Sequence, residues 1–123
     1  MTRFAVKRIY DVPGTSDGTR ILVDRLWPRG ISRDKARIDL WLRDIAPSDT
    51  LRKRFHGTPD EWDTFLAAYF AELEGAAARQ AATVVFERLR EGPVTLLYAA
   101  REEHRNNAVA LRMWLCREGN EIG

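Results

Sequence analysis

The run Val94-Thr95-Leu96-Leu97-Tyr98-Ala99-Ala100 is apolar on both of its alternating sides, and Gly92-Pro93 sets where it begins. Side chains alternate across a strand, so a strand of this kind must be covered on both faces. That is the pattern of a central strand in a parallel sheet, and it makes the chain an α/β protein. With 123 residues, 45% of them hydrophobic and 31% charged, it reads as one domain over residues 1–123. Such a chain builds its core without metal or disulfide support. The expected architecture is a single compact α/β domain with a small, mostly parallel central sheet flanked by helices.

Two more strands come before it. Phe4 to Ile9 is the first, with Phe4, Val6 and Ile9 set among basic residues. Arg20 to Leu26 is the second, with Ile21 and Val23 on one side and Leu22 and Asp24 on the other. Trp27-Pro28 breaks regular structure, because proline restricts the residue before it to extended forms. Gly30 can take a positive φ or allow close backbone approach. The connection from Asp11 to Gly18 is rich in turn formers and is either a plain link or a flap over a pocket. Its glycines and serine are not spaced as a phosphate loop, which argues against a Walker-type NTPase. Residues 38–45 mix a period of two with a helical step and are read as a short extended segment ending at Ala46-Pro47.

The helices are plainer. Ser32 can cap a short turn, and Ser48 a short helix with Leu51 and Phe55 at i,i+4 and Gly57 as its stop. Thr58, Pro59 and Glu61 form a cap, an N1 proline and a capping box. Behind them Trp62, Phe65, Leu66, Tyr69, Phe70 and Leu73 make a broad stripe, read as packing rather than a base-stacking platform. Gly75 separates this helix from a second over about residues 77–90, and a last helix is expected over about 105–117. The single Cys116 lies in an apolar helical pattern and reads as a structural thiol; one cysteine allows no internal disulfide and no cysteine cluster. The start of the chain carries no long apolar run, so neither a signal peptide nor a membrane span is expected and a cytoplasmic location is the default.

Polar groups gather at two strand ends: Asp24-Arg25 with Arg29, and the stretch from Tyr98 to Asn107. If the strands are parallel neighbours, both lie on the sheet edge where open α/β sheets bind ligands. Asp24 is a candidate base, or only the orienter of an arginine, and His104 is a candidate proton carrier. Arg25, Arg29 and Arg101 can hold a phosphate or carboxylate in bidentate fashion. Asn106 and Asn107 can read the edge of a base or an amide, and the start of the last helix adds backbone donors. Structural roles compete with these: Asp24 fastening two loops, Arg25 reaching solvent, Asn106 capping the last helix. His104 and His56 have no cysteine or HExxH partner, so no metal site and no cofactor is expected. No Gly-x-Ser-x-Gly elbow is present.

These residues carry a resemblance. Arg20 to Gly30, then Asp39-Leu40-Trp41, Ala46-Pro47-Ser48, Leu51-Arg52, Phe55, Leu97 to Ala100 and Asn106-Asn107-Ala108 together resemble the DUF488 family, of the YeaO-like kind. The resemblance spans essentially the whole chain, and Val23 to Gly30 is its most specific block. It implies a small bacterial α/β protein and names no reaction. By it, Asp24, Arg25, Trp27, Arg29 and Gly30 match one motif block and Tyr98 and Asn107 the other, which adds Trp27 and Tyr98 to the candidate ligand contacts. In the family's pattern a histidine commonly precedes the asparagine pair directly. Here Arg105 holds that place and His104 is one residue earlier, which in a helix turns the side chain by about 100°.

Charge sets the order of functional readings. Residues 1–57 hold thirteen basic and seven acidic side chains, a balance of +6, and residues 58–123 hold seven and eleven, a balance of −4. Seventeen of the twenty basic residues are arginine, the side chain whose planar fork fits carboxylate and phosphate. The first reading is therefore a site for a small anionic, nucleotide-like ligand at the strand ends. The second is a nucleic-acid-binding or regulatory module with Arg52, Lys53 and Arg54 as its footprint. The third is a scaffold or partner-binding protein, monomer or homodimer, in which the four tryptophans serve a core or an interface.

Overall fold

The computed structural model describes residues 4–55 and 59–122, and of residues 59 and 119–122 the backbone alone. Four strands, β1 (Phe4–Arg8), β2 (Thr19–Leu22), β3 (Leu40–Trp41) and β4 (Val94–Tyr98), form one sheet in the order β1-β4-β2-β3. Every neighbouring pair is parallel. All five residues of β4 are buried, as a central strand requires. Arg8 pairs with Tyr98 and Leu22 with Leu97, so the segments that follow β1, β2 and β4 leave the sheet along the same edge.

The helices are α1 (Arg33–Ala36), α2 (Asp49–Arg54), α3 (Pro59–Leu73), α4 (Ala76–Glu91) and α5 (Asn107–Ile122). The Ser32 and Ser48 hydroxyls accept from the Lys35 and Leu51 N–H groups and cap α1 and α2 as their sequences predict. Gly57 as the stop of α2 and Thr58 as the cap of α3 lie outside the described residues. Helices α3, α4 and α5 pack on the sheet face that bears Phe4, Ile21, Val23, Leu96 and Tyr98. The other face, with Ile9, Leu22 and Leu97, lies under Ala36 of α1 and under Trp27, Ile31, Ile38 and Trp41. One helical turn covers so much because two indoles fill the space. Trp27 and Trp41 meet edge to face at 5.4 Å, and their N–H groups donate to the carbonyls of Ile31 and Asp24. Arg33 lies 4.8 Å from the Trp27 ring centre and Arg43 lies 3.9 Å from that of Trp41.

The link from β1 to β2 runs back along the sheet with no α-helix, only a 3-10 turn at Thr15–Asp17, and is pinned by one carboxylate. Asp17 accepts from the Gly14 N–H at 2.9 Å, Arg20 Nη1 at 2.6 Å and Lys7 Nζ at 3.3 Å, while its carbonyl accepts from the Thr95 hydroxyl at 2.7 Å. Arg20, only 4% exposed, also donates to the Ala36 and Arg37 carbonyls. Burial alone would raise the Asp17 pKa. The Gly14, Arg20 and Lys7 bonds outweigh it and hold the carboxyl below the usual range. At Gly18 (φ 66°) a Cβ would lie 2.1 Å from the Pro93 carbonyl oxygen, so the chain crosses β4 where only glycine fits. The segment is a plain connection, and residues 11–18 take no part in the cleft described next.

Among the boundaries that differ from the sequence reading, three have a clear local reason. Strand β2 ends at Leu22, with one further bond from the Val23 N–H to the Leu97 carbonyl. Beyond that, the Asp24 carboxylate takes the Ala99 N–H in place of a backbone carbonyl. Residues 38–45 contain both periods in succession, the two-residue β3 and then a 3-10 turn at Arg43–Ile45. Helix α5 starts at Asn107 because Asn106 accepts from the Val109 N–H and caps it.

An arginine-lined cleft at the strand ends

Asp24 closes the end of β2 against its neighbours. One carboxylate oxygen accepts from the Ala99 N–H at 3.0 Å, just past β4, and the other from the Asn107 side-chain amide at 2.9 Å, at the start of α5. The same amide donates to the Val23 carbonyl at 3.0 Å. Burial pushes the Asp24 carboxyl above its usual pKa; the Asn107 and Ala99 bonds and the nearby Arg52 charge offset this only in part. Gly30, with φ 79°, turns the motif block back in the left-handed region. The Tyr10 hydroxyl, from the end of β1, donates to the Arg29 carbonyl at 2.7 Å and ties the block to the first strand.

The three strand ends, α2 and α3 enclose an open cleft of about 720 Å³, within the range of small-molecule sites. Five arginines line it, Arg25, Arg29, Arg52, Arg101 and Arg105, against two carboxylates, Asp24 and Glu102. Several of these are already engaged. Arg25 spreads its fork over the Pro47 and Ala46 carbonyls, Arg105 pairs with Glu102 at 2.7 Å, and Arg52 pairs with Asp49 at 3.3 Å. Glu102 also accepts from the His104 N–H, and this bond leads the effects that lower its pKa. The guanidinium groups of Arg29 and Arg101, both exposed, make no hydrogen bond or ion pair with the described residues. The cleft therefore presents two uncommitted planar cations on adjoining strand ends.

The candidate residues divide by position. Asp24, Arg25, Trp27, Arg29, Arg101, Asn106 and Asn107 all border the cleft. Within it Trp27 is tied into the indole pair of the second sheet face, and Asn106, 2% exposed, serves as the α5 cap. The Asn106 side-chain amide also donates to the Glu102 carbonyl at 2.8 Å. Two candidates do not border it. Tyr98 packs in the core with Leu96, because the two share a side of β4, and burial raises its pKa. His104 sits on the exposed turn before α5, one residue out of step, and does not reach the cleft. Replacing Asn106 with Ala removes the cap and is expected to cost about 1 kcal/mol or more, read as a lower urea midpoint with an unchanged slope.

Sequence reasoning missed Tyr10, Pro47, Arg52, Phe55, Phe65 and Arg105 as parts of this site. Arg52 and Phe55 read there as a basic footprint and a core contact. They sit three apart on one short helix and its end, and so reach the same wall. Phe65, within the α3 stripe, stacks on Phe55 at 4.2 Å between ring centres and carries the core out to the cleft. The signal was present: Pro47, Arg52 and Phe55 all fall in the blocks that carry the family resemblance.

Fold and site together define an all-parallel α/β domain with a cationic cleft at the carboxyl ends of its strands. The chain belongs to the DUF488-N3 family: the family model described as the inactive DUF488-N3 subclade matches residues 3–122. It is similar to the uncharacterized protein YeaO of Escherichia coli (strain K12), 45% identical over 109 residues, which cover 89% of this chain and 93% of that protein. It is also similar to the uncharacterized proteins Rv3073c of Mycobacterium tuberculosis and Mb3100c of Mycobacterium bovis, each 39% identical over 114 residues, 93% of this chain and 94% of theirs. No solved structure matches the chain. Among the described residues no helix is long and apolar enough to cross a membrane, and no group of His, Cys, Asp and Glu is arranged to hold a metal ion.

Proposed function

We propose that the cleft binds a small anion, a phosphate- or carboxylate-bearing metabolite, and holds it without transforming it. The observation that carries this reading is the pair of exposed, unengaged guanidinium groups, Arg29 and Arg101, beside a cavity of small-molecule size. Each can form a charge-assisted, bidentate contact with an oxyanion. The start of α5, bordering the same cleft, adds the positive end of a helix dipole.

Binding is favoured over turnover for three reasons. Both oxygens of Asp24 are already taken as acceptors by groups that hold the fold. His104 lies outside the cleft, so among the described residues no free base faces a bound molecule. The description of the matching subclade as inactive weighs on the same side.

The test is a thermal-melt screen of the purified chain against nucleotides, sugar phosphates and small carboxylates, followed by titration. A ligand at 100 times its Kd should add about 2.7 kcal/mol to stability. Arg29→Ala and Arg101→Ala should each weaken binding about tenfold and leave the unliganded midpoint nearly unchanged. Tight ligand binding that survives both substitutions would sink the reading. So would a pool without hits together with salt-sensitive binding of short RNA or DNA.

A further inference from the structure

We infer that the ligand is an aromatic anion, a planar ring carrying a phosphate or carboxylate, with Leu26 and Phe55 as the seat of the ring. This deepens the anion-site reading and rests on it. An inorganic or sugar-like anion needs only the arginines, yet much of the cleft wall is apolar. Of the four large hydrophobic residues exposed among those described, Tyr10, Val12, Leu26 and Met113, two border this one cleft. Leu26 is 59% exposed although it sits within the motif block. A large aliphatic side chain left in water in a cleft that also carries two guanidinium groups is the kind of surface that a bound ring would cover.

The two chemistries come from different parts of the fold. Arg29 and Arg101 stand on the segments after β2 and β4, and Tyr10 follows β1. Phe55 ends α2 and is backed by Phe65 of α3 at 4.2 Å and an interplanar angle of 22°, with Trp62 at 5.8 Å. That stack runs on through Tyr69, whose hydroxyl donates to the buried Ile45 carbonyl at 2.6 Å. Phe55 is therefore a half-buried ring on a rigid support. A ligand with one charged end and one flat apolar end can satisfy the strand-end arginines and the α2 wall together, with little ordering cost to the protein.

The experiment is an NMR titration of the full chain with four probes: inorganic phosphate, phenyl phosphate, benzoate and adenosine monophosphate. At least one aromatic anion should bind about tenfold or more tighter than inorganic phosphate. Its ring protons should give cross-relaxation to the Leu26 methyls. Leu26→Asn, at an exposed position, should weaken the aromatic probes severalfold and leave phosphate unchanged. Which of phenyl phosphate, benzoate and adenosine monophosphate binds best separates a simple aromatic acid from a nucleotide. If phosphate binds as tightly as every aromatic probe, or if Leu26→Asn weakens all alike, the ring seat is overturned while the anion site stands. Silence from all four removes both.

Discussion

Asp17→Ala is expected to lower stability by about 3 kcal/mol, a larger loss than removal of any one arginine from the cleft should cause. The carboxylate is not near the cleft; it neutralises Arg20, which is only 4% exposed in the folded chain. Removing one partner of such a pair leaves a buried charge. Arg20 keeps the Ala36 and Arg37 carbonyls, which places the loss at the low end for a broken buried pair. The substitution also strands the Gly14 N–H and leaves Lys7 with only the Val12 carbonyl, so the link between β1 and β2 loses its side-chain pin. Urea unfolding reads the loss as a lower midpoint. The double substitution Asp17→Ala with Arg20→Met should recover part of it, because it removes the stranded charge as well. A loss below about 1 kcal/mol for Asp17→Ala would mean that the ion pair is screened and the pinning idle.

Asp24→Ala is the second large effect, about 2–3 kcal/mol. It strands the Ala99 N–H and one bond of the Asn107 amide at the point where β2, β4 and α5 meet. It also unties the Arg29 segment from the Arg101 segment, so anion binding should weaken even though no cation has been removed. The two aspartates separate by pH. The folded pKa of Asp17 is depressed, so its contribution is complete above the unfolded value of about 3.9 and is lost as pH falls through the folded value. The folded pKa of Asp24 is raised, so its contribution is complete below about 3.9 and declines as pH rises through the folded value. The gap between wild type and Asp24→Ala should therefore widen on going from neutral pH toward pH 4, and that of Asp17→Ala should not. The opposite trend in either variant would contradict the assignment of these carboxyls.

The fold was legible where one period dominated. Val94 to Tyr98 could only be central, and Ser32 and Ser48 marked helix starts that the structure keeps. The convergence of Asp24, Arg29, Arg101 and Asn107 on one edge followed from parallel strands alone. Roles within that cluster were less legible, because they depend on which face each side chain meets. Alternation put Tyr98 with Leu96, but not which face held the three long helices, and so a motif tyrosine that packs in the core read as a ligand contact. Asp24 and Asn106 could be acids, caps or contacts until their partners were placed; both turn out to spend their oxygens on backbone or amide donors. The wall formed by Arg52, Phe55 and Phe65 comes from two helices, with Phe55 and Phe65 ten residues apart in sequence. No local pattern brings them to a strand end.

The most direct test of an anion site in this cleft is the side-chain NMR spectrum of the arginines, in which each Nε–Hε group gives its own resonance. Titration with phenyl phosphate should move the Arg29 and Arg101 signals saturably and together. The signal of Arg20, buried on its own carboxylate and two carbonyls, should stay fixed. If Arg29 and Arg101 stay unmoved at millimolar ligand in a folded protein, across phosphates and carboxylates alike, the cleft is not an anion site.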